Sequence, residues 1–208
     1  MIAVVNYGLG NVGSIANILK RIGAEAAITS DPSQIRQAEK LVLPGVGSFD
    51  AGMEKLQASG LRPILEDQVL VKKTPLLAIC LGMQMLTSSS EEGAMKGLGW
   101  LDARTVKFAL TPDQPQLRIP HMGWNTVTAA KKSNLFPSID NELRFYFVHS
   151  YHVVCNQPGD ILLRARYGID FVAAVQKGNI MGVQFHPERS HIFGMNLMRR
   201  FAEGSFFD

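Results

Sequence analysis

The sequence predicts an α/β protein with a mainly parallel central sheet flanked by helices, to which the second half of the chain adds antiparallel strands. In the first half, short apolar runs alternate with segments whose apolar residues recur at helical spacing. In the second half, the apolar runs are rich in β-branched and aromatic residues. With 208 residues, 46% of them hydrophobic and 19% charged, the chain suits one core, so we expect a single domain over residues 1–208.

The first half begins with a strand, a turn and a helix. An apolar run ends in glycines, and the apolar residues of the next segment recur at helical spacing until Gly23. The same alternation continues along the chain. Predicted strands cover residues 2–7, 24–30, 40–45 and 75–80, and predicted helices cover 14–23, 49–60 and 61–73.

The second half is predicted to consist of strands until one last helix. Lys177, Gly178 and Asn179 separate two apolar runs and carry the turn residues of a β-hairpin. Residues 192–203 have the spacing of an amphipathic helix. The predicted strands cover residues 101–110, 125–129, 143–155, 160–168 and 171–185.

The composition of the chain disfavours nucleic-acid-binding, membrane-spanning, secreted and metal-binding proteins. The net charge is +3 and the lysines and arginines are scattered, so we expect no nucleic-acid partner. No apolar run reaches the roughly 18–20 residues that span a bilayer, and the first residues lack a signal-peptide pattern, so we expect a cytoplasmic protein. Two cysteines cannot form a disulfide framework, and no cluster with metal-ligand spacing occurs, so we expect no metal site.

Cys80 has the setting of a nucleophile elbow. It ends an apolar run predicted as a strand, and Gly82 follows at the start of a helical segment. A strand-to-helix turn exposes the side chain above the sheet, and the helix N-terminus favours a thiolate. A free cysteine is also often a small buried apolar residue, so the nucleophilic reading requires a nearby base.

His186 and Glu188 follow a second strand-like run and provide that base. Residues two apart on extended chain share a face, so Glu188 can accept a hydrogen bond from one ring nitrogen of His186 and leave the other for Cys80. Four other histidines remain possible bases: His121, His149, His152 and His191.

Two glycine-containing segments allow more than one interpretation. Gly45 and Gly47 flank Val46 after a predicted strand, which suits either an oxyanion loop with an N–H directed into a cleft or a tight turn. Residues 8–13 have the G-x-G-x-x-G spacing of a dinucleotide turn, and Asp31 lies where a ribose-binding acid would follow. No other feature supports that second site, and we expect no cofactor.

These motifs together resemble a known family. Residues 44–47 (PGVG), 80–84 (CLGMQ) and 186–188 (HPE) resemble the class I, or triad, glutamine amidotransferases. Residues 120–125 (PHMGWN) and 145–153 (FYFVHSYHV) are similar to one branch of that class, the glutaminase subunits of imidazole glycerol phosphate synthases. The resemblance covers essentially the whole chain and implies the class I glutamine amidotransferase fold.

The resemblance implies that Cys80 attacks the side-chain amide of L-glutamine. His186 would transfer the proton of the thiol to the leaving ammonia, and Glu188 would orient His186. The oxyanion would be held by backbone groups of Val46, Gly47 and Leu81. Glu92 would face the ammonium group of the glutamine, and the backbone around Ser150 would bind its carboxylate. The residues that would bind glutamine are Gly45, Gln84, Glu92, His149, Ser150 and Tyr151.

The branch also implies a partner. Its glutaminases form heterodimers with a (β/α)8-barrel cyclase, which receives the ammonia and uses it in histidine biosynthesis. The residues expected at that contact are Asn11, Ser14, Trp124 and Arg189, the last of which replaces a lysine common in the branch. We also expect the isolated chain to be nearly inactive, since Val46 can hold its N–H away from the oxyanion until a partner docks.

Three other functions stay open at this point. A paralogous glutaminase could supply ammonia to an enzyme that modifies a surface-polysaccharide sugar, with unchanged chemistry at Cys80. A non-catalytic scaffold subunit is a reading of another class, although Cys80, His186 and Glu188 are all present. The third possible function is that of another triad amidotransferase or of a cysteine peptidase with a similar fold. The residues expected to bind glutamine and the motif at residues 120–125 disfavour this third function.

Overall fold

A computed structural model of the chain describes residues 1–110, 116–137 and 142–206. The strands are β1 (Ile2–Val5), β2 (Ala26–Thr29), β3 (Lys40–Gly45), β4 (Leu76–Cys80), β5 (Ala103–Lys107), β6 (His121–Ala129), β7 (Leu143–His149), β8 (Tyr151–Cys155), β9 (Ile161–Tyr167), β10 (Ile169–Lys177) and β11 (Ile180–Val183). The helices are α1 (Val12–Arg21), α2 (Pro32–Gln37), α3 (Phe49–Ala58), α4 (Arg62–Glu66), α5 (Leu81–Met85) and α6 (His191–Glu203).

The strands form one sheet whose two ends differ in direction. Strands β2, β1, β3, β4 and β11 lie side by side in that order, and the pairings among these five are parallel. From β11 the sheet continues through β10, β9, β6 and β7 with antiparallel pairings, while β8 pairs with both β10 and β5. The predicted fold class is therefore confirmed.

Helices cover both faces of the sheet because strands buried on both sides need an apolar layer on each. On one face α1 and α6 contact each other and contribute Ile15, Leu19 and Phe201 to a buried cluster. On the other face the second cluster includes Phe49 of α3 and Leu65 of α4. Within the described residues, no helix is long and apolar enough to span a bilayer.

Several predicted elements need adjustment. The hairpin is confirmed, with β10 ending at Lys177 and β11 beginning at Ile180. The segment predicted as one helix over 61–73 divides into α4 and a π-helical turn, Asp67–Val71. The run over 143–155 breaks at Ser150 into β7 and β8.

The structure adds a helix, α2, that the sequence pattern does not predict. It begins after Asp31, whose carboxylate caps it by accepting a hydrogen bond of 2.8 Å from the backbone N–H of Ser33. The acid that the dinucleotide reading would assign to a ribose therefore serves as a helix cap, and this function weakens that reading.

Lys40 ties the last helix to the sheet. Its ammonium group donates hydrogen bonds to the backbone carbonyls of Phe201, Ala202 and Gly204, at 2.9, 2.6 and 2.8 Å. These carbonyls lie at the C-terminal end of α6, where helix carbonyls lack partners within the helix and the dipole favours a cation. Burial lowers the pKa of Lys40, with the charges of Glu39 and Glu203 opposing that shift.

We predict that Lys40→Met lowers the free energy of unfolding by about 1–3 kcal/mol, because three carbonyls lose a charged donor. Urea unfolding followed by circular dichroism measures the change. Lys72→Met is the matched control, since the side chain of Lys72 forms an exposed ion pair with Asp67. We expect that control to change stability by less than about 0.5 kcal/mol. Equal effects of the two substitutions would contradict the assigned role of Lys40.

Candidate active site

Cys80 lies at a sharp junction between β4 and α5. Its backbone has φ 55° and ψ −112°, a conformation that residues with a side chain rarely adopt. The junction packs closely on the neighbouring strand: a Cβ added to Gly82 would lie 2.1 Å from the carbonyl oxygen of Leu43. This is the nucleophile-elbow geometry predicted from the sequence, with the thiol at the start of a helix.

His186 and Glu188 follow β11, the strand adjacent to β4. The Nδ1 atom of His186 lies 2.9 Å from Oε1 of Glu188, and their side chains are 9% and 4% exposed. On its other side, the His186 ring interacts with Cys80, and this interaction contributes to the raised pKa of the ring. The structure thus brings the three predicted triad residues together.

The triad fixes the protonation of His186. Burial opposes a charge on the ring, but hydrogen bonds with Cys80 and Glu188 and the charges of both groups outweigh it, raising the pKa of His186 to about 10. The ordinary pKa of histidine is about 6.5, so at pH 7 the His186 ring is positively charged, with a proton on each nitrogen. Its Nδ1–H points to Glu188, and the proton on the other nitrogen is available beside Cys80.

The other four histidines have different environments. Burial lowers the pKa of His121 to about 4 and that of His149 to about 3, and it also lowers the pKa of His152. His191 is exposed and stacks on the indole of Trp124, with ring centroids 5.5 Å apart. Of the possible bases, His186 is the one that the structure joins to the thiol.

A cavity of about 440 Å³ opens above the triad. The residues that line it are Asn11, Val46, Gly47, Cys80, Leu81, Gln84, Glu92, Pro120, Val148, His149, Ser150, Tyr151, His186, Glu188 and Arg189. Thirteen of the sixteen candidate site residues are therefore in one place. The exceptions are Gly45, Ser14 and Trp124.

The expected oxyanion groups lie on two sides of Cys80. Leu81 is the first residue of α5, and the loop after β3 carries Val46, 40% exposed, and Gly47 with φ 106°. Gly45 pairs with Cys80 in the sheet and is buried beneath the elbow. A Cβ there would lie 2.7 Å from the backbone nitrogen of Gly82, so Gly45 permits close packing and does not line the cavity.

The polar side chains that line the cavity have fixed orientations. The amide nitrogen of Gln84 donates to the carbonyl of Tyr151 at 3.1 Å and to Oε1 of Gln184 at 3.0 Å. The carboxylate of Glu92 accepts a hydrogen bond of 2.8 Å from the backbone N–H of Phe49, at the start of α3. Helix N-termini favour such an anion. Both side chains are therefore held in place by other groups of the protein.

Sequence reasoning missed Gln184. This side chain is fully buried, accepts from Gln84, and donates from Nε2 to the sulfur of Cys80 at 3.7 Å. One signal was available, because Gln184 interrupts the apolar run that ends just before His186. A polar residue at a buried strand position needs partners, and here those partners belong to the active site.

The candidate partner residues form the rim of the cavity and its surroundings. Asn11 and Arg189 line the cavity, and the guanidinium of Arg189 lies 5.4 Å from the ring centre of Tyr146. Ser14 and Arg189 also line a second cavity of about 390 Å³ between α1 and α6. The side chain of Trp124 is 45% exposed.

No group of three or more His, Cys, Asp or Glu side chains among the described residues is arranged to hold a metal ion.

Cys155, the second free cysteine, is partly buried on β8, and burial raises the pKa of its thiol to about 11. Its thiol is therefore protonated at pH 7, in contrast to a reactive cysteine.

Known proteins resemble this chain over its full length. A protein from Methanococcus maripaludis named imidazole glycerol phosphate synthase subunit HisH 2 is 55% identical, over 98% of this chain and 99% of its own. A protein of the same name from Pseudomonas aeruginosa is 50% identical over the same shares. One from Bdellovibrio bacteriovorus, named imidazole glycerol phosphate synthase subunit HisH, is 45% identical over 98% of this chain and 100% of its own.

Solved structures support the fold. The crystal structure of a glutamine amidotransferase from Thermotoga maritima has a TM-score of 0.62 at 17% identity, over 90% of this chain and 75% of that chain. That of another glutamine amidotransferase has a TM-score of 0.67 at 18% identity, over 95% of this chain and 98% of that chain. The family model described as glutamine amidotransferase class-I matches residues 3–203. The chain therefore belongs to the class I glutamine amidotransferase family.

Proposed function

We propose that this protein is the glutaminase subunit of an imidazole glycerol phosphate synthase, which hydrolyses L-glutamine to glutamate and supplies the ammonia for histidine biosynthesis. The observation that carries the proposal is the grouping of Cys80, His186 and Glu188 beneath a cavity of about 440 Å³, with His186 hydrogen-bonded to Glu188. The names of the three HisH relatives support the choice of synthase.

In the first chemical step, the sulfur of Cys80 attacks the side-chain amide carbon of glutamine. The sulfur attacks as a thiolate beside His186, which already carries its second proton and is held by Glu188 at 2.9 Å. The tetrahedral intermediate then breaks its carbon–nitrogen bond, and His186 gives that second proton to the departing nitrogen. The products of this step are ammonia and a γ-glutamyl thioester on Cys80.

Water completes the reaction. His186 takes a proton from a water molecule, whose oxygen attacks the thioester carbon, and the carbon–sulfur bond breaks. The proton balances the charge of the released thiolate, and glutamate leaves. In both steps a negative charge develops on the former amide oxygen, and the backbone N–H of Leu81 with a peptide of the loop at Val46 and Gly47 provides the donors for it.

The cavity residues support glutamine as the substrate. The carboxylate of Glu92 would face the substrate ammonium, and Gln84 would present the oxygen of its amide, since its nitrogen is used by Tyr151 and Gln184. The backbone at the bend around Ser150 lines the same cavity and would bind the substrate carboxylate. Holding both ends of the amino acid directs its amide toward Cys80.

The surroundings of the cavity support a partner subunit. Exposed apolar side chains include Val46 at 40%, Met122 at 60%, Trp124 at 45% and Ile192 at 56%. Large apolar residues grouped beside a site of this kind are typical of a protein contact. We propose that the partner is a (β/α)8-barrel cyclase that receives the ammonia, with Asn11, Ser14, Trp124 and Arg189 at the contact.

The alternative functions are less well supported. A scaffold subunit would not need the intact triad or the aligned cavity residues. The three relatives are named for the synthase, and this favours histidine biosynthesis over a polysaccharide pathway. The ammonia acceptor distinguishes the two, because the chemistry at Cys80 is the same in both.

We predict that Cys80→Ala reduces glutamate release from L-glutamine by about a thousandfold or more, because the reaction loses its nucleophile. The assay contains the cyclase subunit encoded in the same genome, with its ribonucleotide ligand. Cys155→Ala is the matched control and should keep wild-type activity, since its thiol lies outside the cavity.

The same assay tests the partner. Wild-type activity should rise strongly when the cyclase and its ligand are added. Activity that requires Cys80 but does not change when this cyclase is added would contradict the assignment to histidine biosynthesis. The glutaminase activity would then still stand. Substantial release by Cys80→Ala would contradict the whole mechanism.

We predict that Glu188→Gln moves the alkaline limb of the kcat/KM profile toward neutral pH by about 1–3 pH units. His186 has a pKa raised to about 10, so the form that can protonate the leaving nitrogen is present below that pH and is lost above it. Removing the charge of Glu188 lowers the pKa of His186 and brings this loss to lower pH. The measurement is glutamate release between about pH 6 and pH 11, in buffers of constant ionic strength.

Glu54→Gln is the control for this profile, because Glu54 is an exposed carboxylate on α3. The ammonium group of glutamine titrates in the same range in every variant, so only the displacement between the profiles is diagnostic. An unchanged limb in Glu188→Gln would show that Glu188 does not set the protonation of His186.

A further inference from the structure

A buried pair of histidines lies at the wall of the glutamine cavity, which His149 lines, and the mechanism above uses neither ring. The side chains of His121 on β6 and His149 on β7 are opposite each other in the sheet and are 3% and 6% exposed. Nδ1 of His121 is 2.9 Å from Nε2 of His149, and Nδ1 of His149 is 2.8 Å from the carbonyl oxygen of Tyr151.

One arrangement of protons satisfies these contacts. The carbonyl of Tyr151 can only accept, so His149 carries its proton on Nδ1. With a neutral ring, its Nε2 is an acceptor, and His121 must donate to it from Nδ1. Nε2 of His121 is then an acceptor for the side-chain amide of Asn125, at 3.3 Å. Burial lowers the pKa of both rings to about 4 and about 3, which keeps them neutral at pH 7.

This chain of hydrogen bonds ends on groups that line the cavity. The hydrogen bond from His149 to Tyr151 spans the bend at Ser150, whose backbone lines the cavity. The same carbonyl of Tyr151 accepts a second hydrogen bond from the amide of Gln84. It therefore determines which atom of Gln84 can face a substrate.

We propose that His121 is a positioning residue, which fixes the tautomer of His149 and thereby the Ser150 bend and the amide of Gln84 for glutamine binding. The inference rests on the proposed glutaminase function. The competing explanation is packing, since the His121 ring also stacks between Phe147 and Tyr167, with centroids 5.0 and 4.1 Å away.

Two variants of nearly equal shape separate these explanations. His121→Asn places an amide nitrogen where the ring has Nδ1 and can still donate to His149, whereas His121→Leu has a methyl group there. Loss of the donor leaves a buried acceptor unpaired, so we expect the KM for glutamine to rise about tenfold in His121→Leu, with a smaller change in kcat. His121→Asn should stay within about threefold of wild type. A packing role predicts the opposite order, because leucine suits an apolar site better than asparagine.

Two further readouts keep the test independent of folding and of turnover. Alkylation of Cys80 by iodoacetamide, followed by peptide mapping, should be unchanged in both variants, because the reagent does not use the substrate contacts of Gln84 and the Ser150 bend. Nitrogen-15 NMR of histidine-labelled protein should show His121 and His149 as the Nδ1–H tautomers at pH 7.

The outcomes separate the two proposals. Equal KM values for the Leu and Asn variants, or a higher KM for Asn, would overturn the positioning role while the glutaminase function stands. A wild-type protein that releases no glutamate with its cyclase would instead overturn the proposed function. An Nε2–H tautomer on either ring would overturn the inference whatever the enzyme does.

Discussion

The active site depends on one steric constraint, the close contact between the end of β3 and the junction of β4 with α5. Gly82 packs against the carbonyl of Leu43 with no room for a side chain, and Gly45 pairs with Cys80 beneath it. These contacts hold Cys80 at a positive φ, a conformation that costs about 1–3 kcal/mol and persists only where its surroundings impose it. The result is a thiol at the base of the cavity.

The parallel pairing of β3, β4 and β11 brings the remaining groups to that thiol. Parallel neighbours end at the same edge of the sheet, so the loop at Val46, the proposed nucleophile Cys80 and the proposed acid–base His186 meet there although they are far apart in the chain. Because the three strands are buried and paired, the protein itself keeps Cys80 and His186 aligned. Groups held in this way need no rearrangement at the moment of reaction.

Local sequence patterns account for part of this arrangement. A cysteine before a glycine at a strand end, and a His-x-Glu after another strand, could be recognised because each depends on a few neighbouring residues. The partners of Gln184 could not be recognised, because its contacts with Gln84 and Cys80 depend on how β4, α5 and β11 pack. The spacing of Asp31 suggested a ribose-binding acid, yet the local capping of α2 determines its role.

Strand β6 connects the two halves of the proposed function. Its side chains alternate between faces, with His121 buried and Met122 exposed, as the period of two in a strand requires, while Trp124 further along is 45% exposed. The exposed residues belong to the surface proposed for the cyclase, and the buried one belongs to the hydrogen-bond chain behind the glutamine cavity. Because both sets share one backbone, a partner that covers Trp124 would restrain the same strand that orients His149. The proposed contact surface and the cavity are therefore connected through one continuous strand.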